Sequence, residues 1–116
     1  MATPVATKEE TGANITIHRW DLTTADHTGT PIELPMASDR TAQFNGTNWG
    51  GATAALEGSI DGTVFLPLTD PQANAIAKTT DGLETVMENT RYIRPRLTTA
   101  GTLAVVACWL MSRNQR

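Results

Sequence analysis

The sequence predicts an all-β chain folded as an antiparallel β-sandwich. Three observations predict it. Apolar and polar residues alternate over short runs, Asp-Gly, Asn-Gly and Pro turn signals separate the runs, and threonine is used heavily beside Val and Ile. Nine glycines and six prolines supply the turn chemistry. The length of 116 residues corresponds to one domain, enough to bury roughly two thirds of the unfolded surface.

Residues 1–14, "MATPVATKEETGAN", are polar and lack a period, so they read as a flexible N-terminal arm. They also lack the apolar stretch of a signal peptide. The sandwich domain is expected over 15–112, with a short polar tail at 113–116. In "NITIHRWDL" Ile15 and Ile17 share one face, whereas Trp20 and Leu22 fall on the other parity. A bulge near His18, or a strand crossing between sheets, accounts for the slip. "TADHTGTP" is a loop, and Pro31 and Pro35 confine "PIELPM", with Ile32, Leu34 and Met36 on one face, to an edge or an irregular strand.

"ATAALEGS" directs Ala52, Ala54 and Leu56 inward. Beyond the Asp61-Gly62 corner, Val64, Leu66 and Leu68 alternate again, so the two runs predict a hairpin. "TDPQANAIAKTTDG" holds a Pro turn, a short strand around Ile76 and a second Asp-Gly turn. "LETVME" fits a helical turn or a strand equally over six residues. "RYIRPRL" is a strand. "TLAVVACWLM" is apolar on both parities and is expected to be buried on both faces or to close the sandwich, with Trp109 in the core.

Several function classes have no footprint here. A net charge of −3, with neither surplus positive charge nor interleaved aromatics, argues against a nucleic-acid partner. The single cysteine, Cys108, rules out an intramolecular disulfide and reads as a small buried hydrophobe. The apolar run at 103–111 is far shorter than the ~20 residues of a membrane helix, so a soluble protein made in the cytosol, with no membrane partner, is expected. His18 and His27 are the only histidines, and no H-x-x-x-H or C-x-x-C spacing offers a metal site. Ser38, Ser59 and Ser112 lack a G-x-S-x-G context. The expectation is a non-enzymatic protein with no catalytic or metal-binding residue and no cofactor.

Contact candidates are clearer than catalytic ones. Arg94 and Arg96 share a strand face with Tyr92, and Arg91 takes the other. Guanidinium forks suit carboxylates on a partner, and they equally suit an acid on the next strand, such as Glu57. Trp49, in "GTNWGG", either anchors an interface or sugar, or folds back over the sandwich end. The "GSIDG" corner needs no ligand, because Asp favours the turn and Gly supplies a positive φ.

"FNGTNWGGATAALEGSIDGTVFLPLTDPQANAI" followed by "NTRYIRPRLTTAGTLAVV", about residues 41–107, resembles small structural proteins of tailed bacteriophages. Within that group it looks most like the capsid decoration (cement) proteins of short-tailed phages. The resemblance implies a jelly-roll-like sandwich, a homo-oligomer (dimer or trimer), that binds the major capsid protein on the outer surface of the virion after synthesis in the host cytoplasm. Thr7 and Lys8 in the arm, Trp49, Arg94 and Arg96 are then the contact candidates. The order of an Asp-Gly hairpin and an "RYIR" strand is also similar to discoidin-like sandwiches, which implies a glycan partner in adsorption. This chain is shorter than those domains and lacks their bracketing cysteines. A tail or baseplate component is the third reading.

Overall fold

The computed structural model describes residues 6–11, 15–34 and 37–114, and these hold strands and no helix. The strands are β1 (Thr7–Thr11), β2 (Ile15–Thr23), β3 (Ile32–Glu33), β4 (Ala37–Asn48), β5 (Thr53–Ser59), β6 (Leu66–Pro67), β7 (Ala77–Lys78), β8 (Gly82–Val86), β9 (Tyr92–Thr99) and β10 (Val105–Asn114). One sheet has the order β1-β2-β10-β4-β8 and the other β3-β9-β5-β6, with β7 also on β5. All pairings are antiparallel. Between β2 and β5 the chain changes sheet at every strand, and it does so again through β8, β9 and β10. That wrapping is a jelly-roll-like β-sandwich, as the sequence predicts.

The core lies between the inward parities of the two sheets. Trp20 and Leu22 from β2, Phe44 from β4, and Val106, Cys108 and Leu110 from β10 meet Ala54 and Leu56 from β5 and Ile93 and Leu97 from β9. Aromatic and branched residues at every second position build this core because a strand turns successive side chains to opposite faces. The Trp20 indole N–H donates to the Thr30 carbonyl at 2.9 Å, so the buried ring carries no unmet donor. Gly29 permits the loop before β3 to lie on that ring. A Cβ there would stand 2.7 Å from both Trp20 Cδ1 and Pro95 Cδ, while the Gly29 N–H donates to the Pro95 carbonyl.

Four expectations are corrected. Residues 7–11, read as part of a flexible arm, form β1 at the sheet edge, where Thr7 pairs with Arg19 and Lys8 with His18. Ala6 packs against the core. An edge strand needs no apolar alternation, and charged residues suit it, which is why "TKEET" gives no strand signal. The remaining arm residues, 1–5 and 12–14, lie outside the described residues. The irregularity near His18 sits in β1, between Lys8 and Glu10, while β2 pairs with β10 without a break from Ile15 to Thr23. The tail reading shortens as well, since β10 runs through residues 113–114.

The last correction concerns β10. Its even-numbered positions 106 to 112 are buried, and on the outer side Val105 and Met111 are exposed, Trp109 is half-buried and the small Ala107 is covered by its neighbours. Trp109 is therefore no core residue. Elsewhere the undecided "LETVME" segment becomes β8, because β4 offers it a ladder from Arg40 to Phe44. The Asp-Gly hairpin forms between β5 and β6, yet Leu68 alone of its second run enters the core, and Val64 and Leu66 remain exposed.

A bulge in β4 positions one buried cation. Thr41 pairs with Met111 and Ser38 with Arg113, so Asp39 and Arg40 together oppose Ser112. Asp39 takes φ +49°, a left-handed conformation that aspartate tolerates better than most residues. The bulge turns Arg40 inward, where it is buried. Its guanidinium donates to the carbonyls of Leu34 at 2.9 Å and Thr90 at 2.6 Å, tying the loop after β3 to the loop before β9.

The Gly29→Ala variant tests the close approach at Trp20. Because backbone and two rigid rings must move, it should lose about 1–3 kcal/mol. Urea denaturation followed by Trp fluorescence measures this, and an unchanged midpoint would show that the loop lifts away freely.

Candidate interaction surfaces

The outer face of the first sheet is built around β10, which lies between β2 and β4. Its outward row is Val105, Ala107, Trp109, Met111 and Arg113, of which the first four are apolar; Ala107 is nearly covered by its neighbours, and Arg113 is exposed. Across the ladders, Trp109 has Arg19 on one side and Gln43 on the other, and Met111 has Ile17 and Thr41. Gln43 in turn pairs with Leu83 of β8. Ile17, Leu83, Trp109 and Met111 thus line one open apolar depression with Thr41 and Gln43. Arg19 lies 4.8 Å above the Trp109 ring centroid and pairs with Asp21 at 2.9 Å. This face was missed in the sequence reading. The signal for it is there: Ile15 and Ile17 on β2 share the outward parity that β10 also fills with apolar residues.

At the end of that strip Leu103 is 79% exposed with φ +52°, a conformation costly for a leucine. Its surroundings impose it. The Asn48 amide donates to the Leu103 carbonyl at 2.8 Å, and the Ala104 N–H donates to the Thr24 hydroxyl at 2.8 Å. The Thr102 N–H donates to the Gly50 carbonyl.

On the second sheet the arginines meet an acid of their own sheet. Glu57 and Arg94 are register partners on β5 and β9. The Glu57 carboxylate, on a residue only 7% exposed, receives Arg94 at 2.9 Å and Arg96 at 3.2 Å. Arg94 also lies 4.1 Å from the Phe65 ring centroid. Of the two readings of this stripe, the ion pair to Glu57 is the one formed. Two cations share one anion, so the patch keeps a net positive charge, presented mainly by the more exposed Arg96. Arg91 pairs separately with Glu33 and stacks near Tyr92.

Trp49 folds back. One face of its ring lies on Gly46, whose added Cβ would come within 2.8 Å of Nε1. Its indole N–H donates to Asp81 Oδ1 at 2.8 Å, and the Gly46 N–H reaches the same oxygen at 2.9 Å. These bonds, the Gly46 one first, hold the Asp81 carboxyl below the usual range. The packing reading of Trp49 is the one formed, which takes its indole donor away from a sugar. Thr7 and Lys8 lie on β1, at the opposite end of the sheet order from β8, so the candidate contact residues do not converge on one site.

The "GSIDG" corner is a self-contained turn. Asp61 Oδ1 accepts the N–H groups of Thr63 at 2.8 Å and Val64 at 3.0 Å and the Ser59 hydroxyl at 2.8 Å. Gly62 takes φ +80°, as expected. What the corner does present is apolar: Ile60 at 77% exposure and Leu66 at 63%, with Val64 between them. These residues edge an open groove of about 440 Å³ that reaches Leu68 and Thr90. Among the described residues no three His, Cys, Asp or Glu side chains come together as metal ligands. Burial pushes the Cys108 thiol far up, away from nucleophilic use.

No family model and no curated protein matches this chain. Solved structures do. A cupin domain of Cnp3 from Schizosaccharomyces pombe aligns with a TM-score of 0.47 at 7% identity, over 97% of this chain and 60% of that one. A cupin domain from Bordetella pertussis Tohama I gives a TM-score of 0.47 at 7% identity, over 98% and 95%. Protein NMB1881 from Neisseria meningitidis gives 0.39 at 9% identity, over 93% and 80%. The chain therefore spans about 60% of the length of the S. pombe chain.

Two outcomes test these surfaces. Replacing Glu57 with Ala leaves two arginines facing each other beside Phe65 and should cost about 1–3 kcal/mol. Arg96→Ala, at an exposed position, should cost less than about 1 kcal/mol. Equal losses in chemical denaturation would contradict the shared-anion arrangement. For Asp61, the bonds from Thr63, Val64 and Ser59, in that order of effect for the two amides and the hydroxyl, lower the folded pKa. Its stabilisation is thus present above the ordinary aspartate range and lost as pH falls through the lowered folded value. The stabilities of wild type and Asp61→Asn should differ at neutral pH and converge in acid, and a difference independent of pH would refute the assignment.

Proposed function

We propose that this chain is a non-enzymatic structural protein of a phage particle that binds the outer capsid surface and cements the shell. The observation that carries the reading is the amount of apolar side chain that a small sandwich keeps on its surface in ordered positions. Ile60, Val64 and Leu66 ring one groove, and β10 presents a second apolar strip. Patches of this kind on a soluble domain mark sites for other macromolecules. The resemblance of residues 41–107 to phage decoration proteins names the class of partner, a capsid subunit.

Under this reading the shell contact is the lip formed by Ile60, Val64 and Leu66, and Arg96, further along β9, offers a separate cation to an acidic neighbour. Apolar area supplies affinity and charge supplies specificity. Such a contact exists many times on an assembled shell, so even modest affinity per copy stabilises the whole.

The test is cosedimentation of purified protein with intact and protein-stripped phage heads. Saturable rebinding is expected at a copy number equal to that of the capsid subunit or a simple fraction of it. Leu66→Asp should weaken rebinding at least tenfold while its thermal melting stays within a few degrees of wild type. Absence of rebinding, or a few copies confined to tails, would refute the cement role.

A further inference from the structure

We propose that the outer face of the β1-β2-β10-β4-β8 sheet is closed by the same face of a second copy of this chain. The two-fold axis would lie in the interface and across the strands, at the level of Cys108. The inference does not rest on the shell reading.

The first argument is what a copy would have to cover. Val105, Ala107, Trp109 and Met111 run down the central strand, with Ile17 and Leu83 on either side. A strand apolar on both parities is normally buried on both faces, and here the fold covers one. On this face Arg19 and Asp21 neutralise each other, and Arg113 adds a cation at the end of the outward row of β10. The remainder between β4 and β8 is Thr, Gln and Asn. Enrichment in Trp, Met and Arg with few other charges is the composition of an interface core.

Area is the second argument. Four strands, β2, β10, β4 and β8, spaced by about 4.8 Å, over nine residues of about 3.3 Å, give roughly 600 Å² in projection. Side-chain relief raises that toward the ~800 Å² per partner of a standard interface. Two sheets facing each other at ~10 Å are an ordinary packing arrangement.

The third argument selects the second copy over an unrelated partner. An isologous contact requires the face to match itself, residue i meeting j and j meeting i. Turning the face about an axis at Cys108 sets position 109 against 107, 111 against 105, 19 against 21 and 17 against 23, as the β2–β10 register dictates. Trp109 then meets the small Ala107 of the second copy, and Met111 meets its Val105. Ile17 meets the second copy's Thr23. Arg19 meets the second copy's Asp21, and Asp21 meets its Arg19. Trp109 thus faces a small residue, Met111 an apolar one and cation an anion along β10 and β2, each twice over by symmetry; on β8 the same turn sets Leu83 against Asp81.

Analytical ultracentrifugation of the full chain tests this. A dimer in reversible equilibrium is expected. Ala107→Arg fills the receiving gap and should raise the dissociation constant at least tenfold with unchanged circular dichroism. Met111→Arg, at a site 37% exposed, should do the same and serves if Ala107→Arg fails to fold. Arg19→Asp and Asp21→Arg place like charges across the axis and should each weaken the dimer about tenfold, whereas the double exchange should restore it. A wild-type chain that stays monomeric at high micromolar concentration, or forms a trimer, overturns the proposal. So does a dimer indifferent to positions 107 and 111, and a double exchange without recovery overturns the axis. Because no phage head is used, failure here is separate from failure of the shell reading.

Discussion

The whole molecule depends on β10 being paired on both edges. It joins β2 on one side and β4 on the other over nearly its full length, and neither of those strands could reach the other without it. The core follows from that placement. Val106, Cys108 and Leu110 supply the inward row of the central strand, and Trp20 and Phe44 take their positions from the ladders on either side. The strand comes last in sequence and lies in the middle of its sheet. The sandwich therefore closes only after contacts distant in the chain have formed, the arrangement associated with slow folding in β proteins.

Two local devices hold the ends of this sandwich. At one end the β4 bulge inserts Arg40, which donates to the carbonyls of Leu34 and Thr90 where the β3–β9 ladder ends. Burial disfavours the charged guanidinium and lowers its pKa, so the hydrogen bonds must offset desolvation. At the other end Trp49, Gly46 and Asp81 close the loop after β4, and the Thr24, Asn48 and Gly50 contacts hold the loop before β10. The surface that results is polarised in kind. The second sheet carries the Glu57–Arg94–Arg96 cluster and the Ile60–Leu66 lip, while the first carries an apolar floor with its own neutralised pair.

Much of the fold was legible along the chain. The inward row Ala52, Ala54 and Leu56, the Asp61-Gly62 turn, the edge character of the Pro31–Pro35 segment and the burial of Cys108 all follow from period, turn chemistry and side-chain type, which are local properties. The candidate site was legible only as residue types. Arg94, Arg96 and Trp49 each had two readings, and the tertiary structure supplies each with a partner inside the chain: Glu57 on the next strand, and Asp81 from a distant loop. No spacing rule contains that information, because strand neighbours in a jelly roll are set by wrapping and not by adjacency in sequence.

By itself, then, the sequence determined the class of fold and the inward row of β5, since alternation and turn residues act over a few positions; it gave no strand over β4, the longest one, because "NGTNWGG" has the composition of a loop. Only the tertiary structure decided which apolar parity stays outside. Trp109 and Cys108 are equally apolar by type, and β10 alone cannot say which faces the second sheet. That choice is made by the ladders to β2 and β4, where Trp20 and Phe44 set the inward side opposite Cys108 and leave Trp109 beside Arg19 on the surface.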